Sequence, residues 1–69
     1  MELSARNQLQ GTVTDVKLGG IMAEVTVEIV GGQVMVSAIT RSSAERLQLA
    51  VGDQVTVIIK STEVMLGKQ

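Results

Sequence analysis

The chain has 69 residues, no cysteine, histidine or aromatic residue, and a formal net charge of −1 from six Lys and Arg against seven Asp and Glu. These values exclude disulfides and the commonest transition-metal ligand, and they argue against nucleic-acid binding, which uses basic faces and aromatic stacking. A domain this small buries only about 60% of its unfolded surface, so its high apolar content favours self-association.

Neither a targeting segment nor a membrane span is predicted. Met1 and Glu2 begin the chain with an acidic residue, no apolar core of a signal sequence follows, and no run approaches the roughly 20 apolar residues of a spanning helix. Together with the absence of cysteine, these features predict a cytoplasmic protein without a membrane partner, with one domain over residues 1–69.

The first predicted strand covers residues 9–18. Its apolar positions break the period of two between Val13 and Val16, which predicts a bulge or strong bend at that point. Gly19-Gly20 predicts the turn that follows.

The second predicted strand, residues 21–30, alternates strictly between apolar and polar side chains. Its inward face is predicted to contain Ile21, Ala23, Val25, Val27 and Ile29. Gly31-Gly32 then predicts a β-hairpin that leads into a third strand over residues 33–39. Residues 9–39 are therefore expected to form a three-stranded meander.

The remaining elements are a helix and two strands. Residues 40–49 change to a helical pattern, with Thr40 or Ser42 as the N-cap. Residues 54–60 predict a fourth strand with Val55, Val57 and Ile59 facing inward, and residues 63–66 a short fifth. The predicted fold is all-β: a small five-stranded OB-like barrel with one short helix between strands 3 and 4.

The sequence contains few residues that could act in catalysis, so the protein is predicted not to be an enzyme. Without histidine or cysteine, no Ser-His or Cys-His pair can form. Glu24 and Glu28 lie on a strand face that is predicted to be solvated, whereas a catalytic carboxylate needs burial. The Gly-Gly pairs have the spacing of turns, without a phosphate-binding fingerprint.

Anion binding is the chemistry that the polar residues favour. Three clusters, at residues 4–7, 40–43 and 60–62, each combine a cation with hydroxyl donors at the boundary of a predicted element, where backbone N–H groups are free. Each cluster alone also fits a simpler interpretation: a frayed terminus, an ordinary helix cap, and an edge strand protected by lysine.

Several stretches together resemble one known family. They are SARNQLQG at residues 4–11, AEV at 23–25, a GG turn, AIT at 38–40 and IKSTEVM at 59–65. Over essentially its whole length the chain resembles the molbindin or Mop family, small cytoplasmic proteins that bind molybdate and tungstate, and the TOBE modules of molybdate transporters and regulators. The resemblance implies reversible oxyanion storage by a homohexamer, a trimer of dimers, with sites between subunits.

The resemblance also implies the residues of the sites. One class of site would contain Ser4, Ala5, Arg6, Lys60, Ser61, Thr40 and Ser43. A second class, near a three-fold axis, would use the backbone of Gly19, Gly20 and Ile21. The roles of Asn7 and Arg46 stay open.

Two other functions compete with storage. The first is a molybdate-sensing regulatory module that acts on a transporter or a transcription factor. The second is an OB-type module for nucleic acid or a pterin, against which the acidic balance and the lack of aromatic residues argue.

Overall fold

The computed structural model describes residues 1–69, which form four antiparallel strands in one curled sheet and a short helix. The elements are β1 (Asn7–Leu18), β2 (Met22–Ile29), β3 (Val34–Thr40), α1 (Arg41–Arg46) and β4 (Gln54–Ile59), followed by a single 3₁₀ turn at Ser61–Glu63. The strand order is β3-β2-β1-β4, which leaves β3 and β4 as the two edges. None of the helices has the length and hydrophobicity needed to cross a bilayer.

The predicted bulge lies in the middle of β1. Pairing with β2 shifts register between Val13 and Asp15, so Thr14 is the extra residue, and its hydroxyl donates to the Thr26 carbonyl at 3.3 Å. The N-terminal half of β1 pairs with β4 and the C-terminal half pairs with β2. The bulge lets one strand bend between these two partners, which confirms the break in period read from the sequence.

The predicted hairpin between β2 and β3 is also confirmed. Gly31 and Gly32 have φ values of 105° and 94°, a region that side chains with a Cβ rarely occupy. Ile21 differs from its prediction: it precedes β2, lies in the turn after β1 and is 80% exposed. The reason is that the turn extends one residue beyond Gly20, and Ile21 uses its carbonyl to accept from the Arg41 N–H at 2.7 Å.

The predicted helix over residues 40–49 is shorter in the structure, at Arg41–Arg46. Thr40 is its N-cap, as one of the two alternatives predicted, and its side chain accepts from the Ser43 N–H. The helix stops because Gln48 adopts a positive φ of 53°, a left-handed conformation that commonly ends helices.

The core is small and lies on the concave side of the sheet. Its buried apolar residues are Val13, Ala23, Val25, Val27 and Ala44. Val55, Val57 and Leu49 pack against it from β4 and the segment before it, as partly buried residues. Many large apolar side chains stay exposed, including Met65 at 92% and Leu66 at 95%.

The fifth strand predicted at residues 63–66 does not form within the chain. The Glu63 N–H donates to the Lys60 carbonyl at 2.9 Å, which turns the backbone away from the β4 direction. No strand joins β3 to β4, so within one chain the sheet is a four-stranded half-barrel, where a five-stranded OB-like barrel was predicted. A cavity of about 640 Å³ lies within it, lined mainly by apolar side chains.

Gly11 allows β1 and β2 to approach closely. A Cβ at this position would lie 2.5 Å from the Val27 Cγ1 and 2.9 Å from the Glu28 carbonyl oxygen. We therefore expect Gly11→Ala to destabilise the fold by about 1–3 kcal/mol through overpacking. Chemical denaturation measures this change. Gly67→Ala is the matched control because nothing lies within 4 Å of its Cβ, and an equal effect of both variants would contradict the prediction.

Candidate functional site

The register between β1 and β4 brings two of the predicted clusters together. Asn7 pairs with Ile59, so Arg6 and Lys60 leave the same end of the sheet from adjacent strands. The Asn7 side-chain amide donates to the Ile59 carbonyl at 3.2 Å. Asn7 is thus a structural residue that joins the two clusters within one chain, where the sequence left its role open.

This first group is rich in unused donors. Arg6, Lys60 and Ser61 are exposed, and the only ion pair in the protein is formed by other residues, so both cations are free of carboxylates. The N–H groups of Ala5 and Ser61 have no backbone partner, whereas the Ala5 carbonyl is occupied by the Gln8 side-chain amide at 2.7 Å. Ser4 is exposed beside them. The group presents cations, hydroxyls and N–H donors.

Thr40 and Ser43 form a second group at the start of α1. The Thr40 hydroxyl accepts from the Ser43 N–H at 3.1 Å and donates to the Ser43 Oγ at 2.8 Å. The Arg46 guanidinium also donates to the Ser43 Oγ, at 3.4 Å. Because Ser43 Oγ accepts twice, its own proton is left to point outward as a donor. Arg46 therefore orients Ser43, a contact that its position three residues further along the helix could have indicated.

The glycine turn adjoins this second group. Thr40 pairs with Met22, which places the end of β3 beside residues 19–21. The Gly19 N–H donates to the Met22 carbonyl at 2.8 Å, while Gly20 and Ile21 are exposed and their N–H groups have no backbone partner. The Arg41 guanidinium donates to the Gly19 carbonyl at 3.0 Å. Sequence reasoning missed this contact, since the two residues are 22 positions apart.

Within one chain the seven residues of the first predicted site fall into two separate groups. The Arg6 and Lys60 group lies at the Asn7 end of β1, and the Thr40 and Ser43 group lies near its Leu18 end. No hydrogen bond joins the two groups. No group of three or more His, Cys, Asp or Glu side chains is placed to hold a metal ion. The chemistry common to both groups is donation of hydrogen bonds to an anion.

Known proteins share the sequence pattern and the fold of this chain. The TOBE domain family matches residues 3–66. Molybdenum-pterin-binding protein 1 of Clostridium pasteurianum is 48% identical over 66 residues, which cover 96% of this chain and 97% of that protein.

Two solved structures share the fold at high similarity. MopII from Clostridium pasteurianum, in a structure described as apo2, has a TM-score of 0.93 and 43% identity, and the match covers 97% of this chain and 100% of that one. A molybdate binding protein from Sporomusa ovata also has a TM-score of 0.93, with 38% identity over 99% of this chain and 100% of that one. The protein is a small all-β domain with the fold of these structures. The chain belongs to the TOBE domain family and, within it, to the Mop group, which confirms the resemblance read from the sequence.

Proposed function

We propose that this protein binds molybdate or tungstate reversibly in the cytoplasm, for storage and homeostasis, at sites between the subunits of a homo-oligomer. The observation that carries the proposal is the register that sets Arg6 beside Lys60, both free of carboxylates. Support comes from relatives that are named for molybdenum-pterin or molybdate binding. The site residues proposed are those predicted from the sequence: Ser4, Ala5, Arg6, Thr40, Ser43, Lys60 and Ser61.

The donor set suits a tetrahedral dianion that is fully deprotonated at neutral pH. Molybdate only accepts hydrogen bonds, so a site made of donors satisfies it on every side. Arg6 and Lys60 supply two positive charges that match the charge of the ion. Hydrogenphosphate carries a proton that needs an acceptor, so a site of this kind disfavours it. Sulfate has the same charge and a smaller radius, which leaves pocket size as the property that separates the two ions.

Assembly of several copies is part of the proposal. A subunit interface would bring the Arg6 and Lys60 group of one copy to the Thr40 and Ser43 group of another, since the two groups are separate within one chain. The arrangement we propose is the homohexamer, a trimer of dimers. It would also bury the exposed apolar side chains of a core too small to hold them.

The fifth strand belongs to the same assembly. Strands β3 and β4 expose unpaired edges, and exposed edges of this kind are normally covered in native proteins. Val64, Met65 and Leu66 are exposed and apolar. We propose that they pair with an open edge in the oligomer and complete the five-stranded barrel there.

Native mass spectrometry with and without molybdate tests the function directly, because it counts subunits and bound ions in one spectrum. We expect a hexamer that gains molybdate ions in a fixed number. A chain that stays monomeric, or that gains no ions at saturating molybdate, would overturn the proposal.

Binding of a molybdenum-pterin is a second candidate, because the relative that is 48% identical is named a molybdenum-pterin-binding protein. The half-barrel cavity of about 640 Å³ has the volume for a small organic ligand. Absorbance-monitored binding of a pterin, repeated at saturating molybdate, separates the candidates. Pterin that binds in the cavity and is not displaced by molybdate would favour this second function. If no pterin binds, oxyanion binding remains as the single candidate function.

A further inference from the structure

We propose that Arg41 is a positioning residue that occupies two carbonyl oxygens of the turn at residues 19–21 and so favours the N–H donors of this turn as part of the second class of oxyanion site. The inference deepens the proposed function and rests on it. The resemblance implied that the backbone of this turn forms a second site, whereas Arg41 was predicted only as the cation of the cluster at residues 40–43. The structure connects the two through hydrogen bonds to both ends of the turn.

Arg41 occupies two carbonyl oxygens of the turn at once. Its guanidinium Nη1 donates to the Gly19 carbonyl at 3.0 Å, and its own N–H donates to the Ile21 carbonyl at 2.7 Å. The guanidinium is held from the other side by Glu45, whose carboxylate lies 3.5 Å from Nε. The side chain is thus fixed between the turn and the helix.

This arrangement occupies two of the three carbonyl oxygens of the turn, those of Gly19 and Ile21, and leaves the N–H groups of Gly20 and Ile21 free. A carbonyl oxygen repels an oxyanion unless a donor occupies it, and Arg41 occupies both carbonyls that flank Gly20. The consecutive N–H groups of Gly20 and Ile21 have no backbone partner, and consecutive free N–H groups form anion-binding concavities. No atom lies within 4 Å of a Cβ built on Gly20, so its surroundings are open to a ligand.

Arg41 lies next to a residue of the first class of site but contacts only the turn and Glu45. Arg41 directly follows Thr40, the residue whose hydroxyl caps the helix and orients Ser43. The Gly19 N–H is held at 2.8 Å by the Met22 carbonyl, so the turn has little freedom to move apart from β2. A change at Arg41 therefore affects the turn directly, and it leaves the distant Arg6 and Lys60 group intact.

The first test needs no variant: amide chemical shifts are measured during titration of the intact protein with molybdate. We expect the Gly20 and Ile21 amides to shift in a saturable way, in addition to those near Lys60. Shifts near Lys60 with none at Gly20 or Ile21 would overturn the inference and leave the proposed function standing. If no amide shifts and no ion binds, the proposed function fails, and the inference fails with it.

The second test compares Arg41→Ala, Arg41→Lys and Glu45→Ala by ion counting and calorimetry. We expect Arg41→Ala to weaken the second class of site by at least about ten-fold, as loss of a charged donor does, with the first class within two-fold of wild type. Arg41→Lys keeps the positive charge but has a single ammonium group in place of the guanidinium. It should therefore recover part of the affinity that Arg41→Ala loses.

Glu45→Ala is the matched control, because it removes the helix ion pair and keeps both contacts of Arg41 with the turn. It should bind at least as tightly as wild type, since it frees positive charge near the site. If Glu45→Ala and Arg41→Ala weaken binding equally, Arg41 acts only through helix stability and the inference is overturned. If Arg41→Ala binds molybdate with wild-type affinity at both classes of site, the inference is overturned as well.

Discussion

Arg6→Ala and Lys60→Ala are each expected to weaken molybdate binding by about ten-fold or more, which corresponds to roughly 1.5–3 kcal/mol for a hydrogen bond to a charged group. The two side chains leave the same end of the sheet and neither has a carboxylate partner, so their charges are available to a ligand. Removal of either leaves a dianion facing one positive charge. Isothermal titration calorimetry of each variant gives the affinity and the number of ions per subunit.

Lys68→Ala is the control for this prediction, because it makes the same change of charge at an exposed residue of the C-terminal segment. It should bind within about two-fold of wild type. Gel filtration of all three variants verifies that the assembly is intact. If Arg6→Ala and Lys60→Ala retain wild-type affinity and ion count in an intact assembly, these residues do not form the site.

Leu66→Asp is expected to dissociate the oligomer and to lower its stability by roughly 2–3 kcal/mol per subunit, the value of burying one leucine side chain. In a single chain Leu66 is 95% exposed, where a substitution usually changes stability by less than about 0.5 kcal/mol. The expected loss of stability is thus several-fold larger if Leu66 is buried between subunits than if it stays exposed. Sedimentation velocity reports the assembly, and denaturation at several protein concentrations reports the stability.

Gln69→Asp places the same charge three residues further on and should change neither property. Loss of assembly in Leu66→Asp alone would support a role for residues 64–66 at a subunit interface. A Leu66→Asp variant that assembles and unfolds as wild type does would show that this segment covers no apolar edge, and the proposed fifth strand would then be wrong.

Features of the fold that depend on local pattern were predictable from the sequence. The bulge after Val13 appears as a break in period, the hairpin appears as Gly31-Gly32, and the cap appears as Thr40 before a helical stretch. In each case, neighbouring residues alone determine the backbone conformation.

Features that depend on distant or missing partners were not predictable. Ile21 continues the alternation of β2 but lies in a turn, because the Gly19 N–H donates to the Met22 carbonyl and closes the turn around Gly20 and Ile21. The Arg41 contact with Gly19 joins residues 22 positions apart, and no spacing rule indicates it. Residues 63–66 have an apolar pattern compatible with a strand, but a strand needs a neighbour, and none is present within the chain.

The candidate site was predictable in composition but not in arrangement. Cations beside short hydroxyl residues indicated an anion, and the pairing of Asn7 with Ile59 brings Arg6 and Lys60 together. The sequence could not show that Thr40 and Ser43 lie at the other end of β1, because that separation follows from strand register.

The extra residue at Thr14 sets the phase of β1 between its two ends. Before it, odd-numbered residues such as Val13 face the core, whereas after it the even-numbered Val16 does, opposite the buried Val25. Deletion of Thr14 would leave Val13, Asp15 and Val16 in strict alternation opposite their present partners in β2, whereas deletion of a paired residue of β1 would turn the residues beyond it to the opposite face. The inserted threonine therefore bends β1 without changing which residues of β2 the strand faces, so Thr14 is the position of β1 where a single deletion should disturb the downstream pairing least.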